Sequence, residues 1–178
     1  EPSGLQKLRY YEYADLENFF QYMKAKRENR VKNRIQRRKI KGKKNRMNYR
    51  FLIHELVPHK DQYILLGEAF YPKYRQMDRT YGNYFFGSGP SSNSIIRDGR
   101  IFEGYHYTHA AILGFDKNGD LLWDNSFEIN DVKTFTLEQY VKLETSEDKI
   151  DLIYLYENKI RTKVIQNETV LEGKSTAP

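Results

Sequence analysis

Four histidines, His54, His59, His106 and His109, are the imidazoles on which a metal site or a general base could be built. His54-Glu-Leu-Val-Pro-His59 approaches the H-E-x-x-H metalloprotease pattern, in which two histidines four apart on a helix turn both rings to one metal. Here they stand five apart with Pro58 between them, inside a β-rich run, so the pattern fails. His106 and His109 are three apart on a strand and point to opposite faces unless a bulge intervenes. Ordinary cross-strand or loop histidines account for all four. Asp116-Lys-Asn-Gly-Asp120 holds part of a calcium-loop signature, but the distal bidentate glutamate and flanking helices are missing. A hairpin turn explains the same five residues. Gly87-Ser-Gly-Pro-Ser91 lacks the Lys-Ser/Thr and the helix start of a phosphate loop. The carboxylates Glu55, Glu68, Glu103 and Asp124 are scattered. The chain has no cysteine, which removes disulfides, thiolate catalysis and Cys-ligated metals. The sequence therefore implies no enzyme, no metal and no cofactor.

Charge gives a stronger signal. The 178 residues carry 30 Lys+Arg against 24 Asp+Glu. Between Lys24 and Arg50 lie fourteen basic residues and one acid, Glu28, a net of +13. The other 151 residues hold 16 basic and 23 acidic groups, a net of −7. The chain is an acidic body with a basic arm. Arg30, Arg34, Arg37 and Arg38 are its candidate partner-binding residues. Such an arm could neutralise nucleic-acid phosphates, but base stacking needs aromatics and none lies from Ala25 to Asn48. Anionic lipid headgroups are a further possibility. A protein partner, or simple pairing of the arm with the acidic body, is the favoured expectation; a nucleic-acid-binding module using Lys24–Arg50 is the alternative.

Tyrosine and phenylalanine crowd the stretch 72–101, which reads as a long insertion rich in Tyr, Gly, Ser and Arg. Tyr81, Tyr84, Phe85 and Phe86, with Arg75, Arg79 and Arg97 nearby, are interface-type residues that bury much area at low entropic cost. The plainer reading is that these rings cap the ends of the β body. Insertions of this length in a compact domain are usually functional or disordered.

The elements that must position these groups follow from periodicity. Asp15 reads as the N-cap of a helix over 15–38, because Leu16, Phe19, Phe20 and Met23 fall at i, i+3, i+4 and i+7. From Tyr49 the pattern changes to strands: 50–57, 62–71, 107–115, 120–129, 136–143, 149–156, 159–165 and 169–172. Asn118-Gly119 between two apolar runs is a strong hairpin signal. The expected organisation is a helical basic segment over 1–48 and an antiparallel β body over 49–178. The chain begins at Glu1 and reads as part of a longer protein. No apolar run reaches the length of a membrane-spanning helix.

The stretch Ala110–Phe115, Asp116–Asp120, Leu121–Trp123 resembles the third and fourth strands of a bacterial β-propeller blade, with the apolar run, Asp-x-Asn-Gly turn and Leu-Trp in order. A degenerate blade from Thr134 to Gly173 continues the resemblance. It implies a mainly β chain of antiparallel strands, a partial propeller-like meander, with Trp123 packed between neighbouring blades. The Tyr-, Lys- and Asn-rich style is similar to that of envelope proteins of the Bacteroidetes. That similarity implies a periplasmic, non-catalytic scaffold subunit, an accessory or plug of an outer-membrane complex such as the type 9 protein-export machinery. A cytoplasmic location goes with the nucleic-acid alternative. A sugar-binding or hydrolytic propeller with its site in other blades is the third class.

Overall fold

A computed structural model describes residues 9–45, 47, 49–76, 96–97, 100–166 and 169–172. The chain is mainly β, in two antiparallel sheets with one helix among the described residues. The first sheet is built from β1 (Arg50–His59), β2 (Gln62–Gln76), β3 (Ile96–Arg97), β4 (Arg100–Asp116), β5 (Leu121–Glu128) and β6 (Lys133–Thr134). Its spine is β1-β2-β4, and β3, β5 and β6 all pair with β4. The second sheet is a meander of β7 (Lys142–Thr145), β8 (Ile150–Tyr156), β9 (Lys159–Gln166) and β10 (Thr169–Glu172).

One core lies between the sheets. It joins Ile64, Leu66, Ala110, Ile112, Trp123 and Phe127 of the first to Ile150, Leu152, Tyr154 and Ile165 of the second. The Asn118-Gly119 turn forms as its sequence predicts: the Gly119 N–H donates to the Asp116 carbonyl, and the Asp116 carboxylate accepts the N–H groups of Asn118 and Asp120 at 2.8 and 2.7 Å. Gly119 adopts φ 78°, which a glycine tolerates at no steric cost. The carboxylate that a calcium loop would use is thus engaged by its own turn. Trp123 is buried, and its Nε1 donates to Gln62 Oε1 at 2.8 Å. The indole lies against Gly114, where any Cβ would collide with it.

The opposite face of the first sheet is covered by the N-terminal segment, and here the helix expected over 15–38 is corrected. A 3-10 turn at Tyr13–Asp15 is followed by bends and turns, and α1 runs only from Ala25 to Ile40 with Lys24 as N-cap. The reason lies on β5. The Asp124 carboxylate accepts the backbone N–H groups of Glu17 and Asn18 at 2.8 Å each, and Ser126 Oγ accepts that of Tyr22 at 3.0 Å. The Glu17 and Asn18 N–H groups would be free at a helix N-terminus in any case, but a helix would pair the Tyr22 N–H with the Asn18 carbonyl, and Ser126 Oγ accepts from the one and donates to the other at 3.0 Å each. Leu16, Phe19 and Phe20 are still buried, so the apolar residues dock without the helix that their spacing implied. Asp15 caps nothing; its carboxylate accepts from Lys39 Nζ at 2.5 Å.

Three further departures concern strands. β2 continues through Pro72 to Gln76 and pairs with Arg100–Gly104, so both ends of the 72–101 stretch are sheet. Apart from β3, the rest of it, with Tyr81, Tyr84, Phe85 and Phe86, lies outside the described residues. A strand over 136–143 does not form. Only Lys142–Thr145 pairs, because the backbone at Tyr140 and Val141 is turned inward to the Glu68 carboxylate. Finally, the register of β2 on β4 slips between Ala69 and Phe70, leaving Thr108 unpaired. This bulge moves Tyr107 into the inter-sheet core while His109 faces the N-terminal segment. It therefore places His106 on the same face as His109, not the opposite one.

Candidate functional site: a basic helix flank and an aromatic cleft

α1 is held by Ile35, which is buried, and Val31, which is half-buried; both join a second apolar cluster with Phe19, Phe20, Phe51 and Ala111. With about 100° between successive residues, this anchor fixes which side chains face out. Lys26, Arg27, Arg30, Arg34, Arg37, Arg38 and Lys41 fall within a sector of about 120° and all are exposed. The other exposed flank carries Asn29, Asn33 and Gln36. The stripe is about 22 Å long at 1.5 Å per residue. Lys32 pairs with Glu28 and Lys39 with Asp15, while none of the seven stripe cations forms an ion pair with a described residue. Arg38 donates to the Lys44 carbonyl instead. Among the described residues the acidic body reaches the arm through Asp15 on Lys39 and leaves the stripe without an ion pair.

The stripe starts at a cleft of about 530 Å³ between the foot of α1, the bulged part of β2 and β4, and the turn after β5. Tyr22, Met23, Tyr49, Tyr71 and Thr108 line it, whereas the Phe70 and Tyr107 rings pack on the other side of the sheet in the inter-sheet core; Lys24 and Arg27 line it from the helix, and Glu128 and Asp131 from the end of β5 and the turn after it. Sequence spacing hid this, because the rings come from three distant segments. Burial raises the Tyr22 phenol above the ordinary tyrosine range, aided by its hydrogen bond to Tyr49, and burial pushes Tyr107 up to about 12. Both stay protonated.

Under the cleft lies His109. Its ring stacks on Tyr22 with centroids 3.7 Å apart, and Phe19, Tyr49 and Phe51 meet it edge-on. Nδ1 lies 2.9 Å from Thr108 Oγ1, whereas Nε2 has no partner. Burial lowers its pKa to about 3, so the imidazole is a neutral core ring. His54 Nε2 lies 2.8 Å from the fully buried Glu68 carboxylate. Burial raises the Glu68 pKa, while the N–H groups it accepts and His54 oppose the rise.

Lys163 was not singled out by sequence. It is buried, and its amine donates to Asn125 Oδ1 at 2.7 Å and the Ser126 carbonyl at 2.6 Å, bridging the two sheets. Burial lowers its pKa to about 8. The signal was its inward phase with Ile165 along β9. Glu68, Asp124 and Lys163 are each held by protein partners and act as staples between layers. Among the described residues no group of three or more His, Asp or Glu is placed to hold a metal, and no helix is long and apolar enough to cross a membrane. No family model, no curated protein and no solved structure matches this chain.

Proposed function

We propose that this chain is a non-catalytic binding module that meets an acidic protein surface through α1, as a subunit of a larger envelope assembly. The observation that carries the reading is the stripe: seven exposed cations on one flank of a helix whose other side is anchored by Ile35. Unpaired charge of one sign, held on a fixed element, speeds association with a complementary surface and makes binding sensitive to salt. The blade-like hairpin belongs to the same proposal. β7–β10 form a four-stranded antiparallel meander, and Ile153, Leu155 and Ile160 are exposed on its outer side as an apolar row that a further sheet would cover. A periplasmic protein-export complex is the setting this reading takes.

An octaglutamate peptide tests it. Binding should be measurable at low salt and weaken steeply towards physiological salt. The variant Arg30→Glu/Arg34→Glu/Arg37→Glu should lose binding with its thermal unfolding unchanged, because all three side chains are exposed. A variant that binds like the wild type would overturn the reading.

A further inference from the structure

We infer that the cleft at the foot of α1 is an anchor site for an apolar or aromatic side chain of the same partner, so that the chain recognises a peptide with one aromatic residue flanked by an acidic run. This rests on the binding reading above and names the partner's chemistry. Met23, Tyr22 and Tyr71 give the cleft its apolar lining, and Tyr71 is half-exposed and stacked on His106 rather than packed in the core. The backbone at the base is already paired: the Ile129 N–H donates to the Thr108 carbonyl and the Tyr107 N–H to the Val132 carbonyl. An occupant therefore meets rings and side-chain groups, not open strand edges.

The charges around the opening set its polarity. Lys24 and Arg27 on the helix side lead directly into the stripe, while the exposed Asp131 stands opposite. Carboxylates of a bound peptide must leave over the helix. A single-stranded nucleic acid fits less well, although the fold does supply aromatics beside the basic arm. Each base brings a phosphate on either side, so a base stacked in the cleft carries charge towards Asp131. A peptide carries carboxylates only where its sequence puts them.

The test compares three probes on the full chain: octaglutamate, octaglutamate with tryptophan at one end (each end in turn), and a twelve-residue oligothymidylate. One of the tryptophan peptides should bind roughly tenfold more tightly than octaglutamate, the gain expected for burying most of one aromatic side chain. Tyr71→Ala and Met23→Ala should each remove much of that gain and leave octaglutamate affinity unchanged. Equal binding of all peptides to the wild type would overturn the anchor site while leaving the stripe reading intact. Loss of octaglutamate affinity in the cleft variants, or tighter binding of oligothymidylate than of either tryptophan peptide, would also overturn it. Failure of every peptide to bind would overturn the stripe reading itself.

Discussion

The Glu68 carboxylate on β2 accepts the backbone N–H of Val141 at 2.7 Å, tying the first sheet to the segment that enters the second. It also accepts from Tyr140 N–H at 3.1 Å, and both Glu68 and Val141 are fully buried. One side chain thus settles two main-chain donors that would otherwise be orphaned in the core.

Removing that acceptor should be costly. Glu68→Ala leaves the Tyr140 and Val141 donors unpaired at roughly 1–3 kcal/mol for each buried group, so a loss of about 3–5 kcal/mol is expected in denaturant unfolding followed by Trp123 fluorescence. Glu68→Gln keeps one oxygen acceptor and should lose less. An alanine variant as stable as the wild type would disprove the staple.

Gly114→Ala should destabilise by about 1–3 kcal/mol, the usual effect of overpacking. The added methyl would occupy the space of the Trp123 indole, which must shift and release Gln62. A reduced near-ultraviolet circular dichroism signal from the tryptophan checks this; an unchanged signal and unchanged stability would contradict it.

His109 should make the fold sensitive to acid. Its folded pKa of about 3 lies below the ordinary value of 6.5, so the unfolded chain binds the proton first as pH falls. The stability it contributes is present above about 6.5 and is lost progressively towards pH 3, with a slope of at most about 1.4 kcal/mol per pH unit. His109→Phe should flatten the curve between pH 6 and pH 4 relative to the wild type. Parallel curves for the two proteins would refute the assignment.

Asp124→Ala should free the N-terminal segment and leave the sheets standing. The carboxylate accepts two backbone N–H groups, an N-cap-like role worth about 1–2 kcal/mol. Amide exchange at Glu17 and Asn18 should speed up, and trypsin should cut sooner at Lys24 or Arg27, while amides of β8 and β9 keep their protection. Unchanged protection at 17–18 would show that apolar docking of Phe19 and Phe20 suffices.

Local chemistry in the sequence determined the mainly β class, the Asn118-Gly119 turn and the buried Trp123, because a turn and its flanking strands are set by neighbouring residues. It also determined that the arm is basic, since charge counts need no fold. The tertiary structure decided what depends on distant partners. Leu16, Phe19, Phe20 and Met23 have helical spacing, yet Ser126, more than 100 residues away, stands between the Tyr22 N–H and the Asn18 carbonyl that a helix would pair. The face of His106 hung on a single unpaired residue, Thr108, since a strand's period of two reverses with one insertion. The cleft was invisible for the same reason: Tyr22, Tyr49 and Tyr71 meet only when the N-terminal segment lies across β2 and β4. The direction of the basic stripe was fixed by the Ile35 anchor, because a helix charged nearly all round acquires an inside only when one residue is buried.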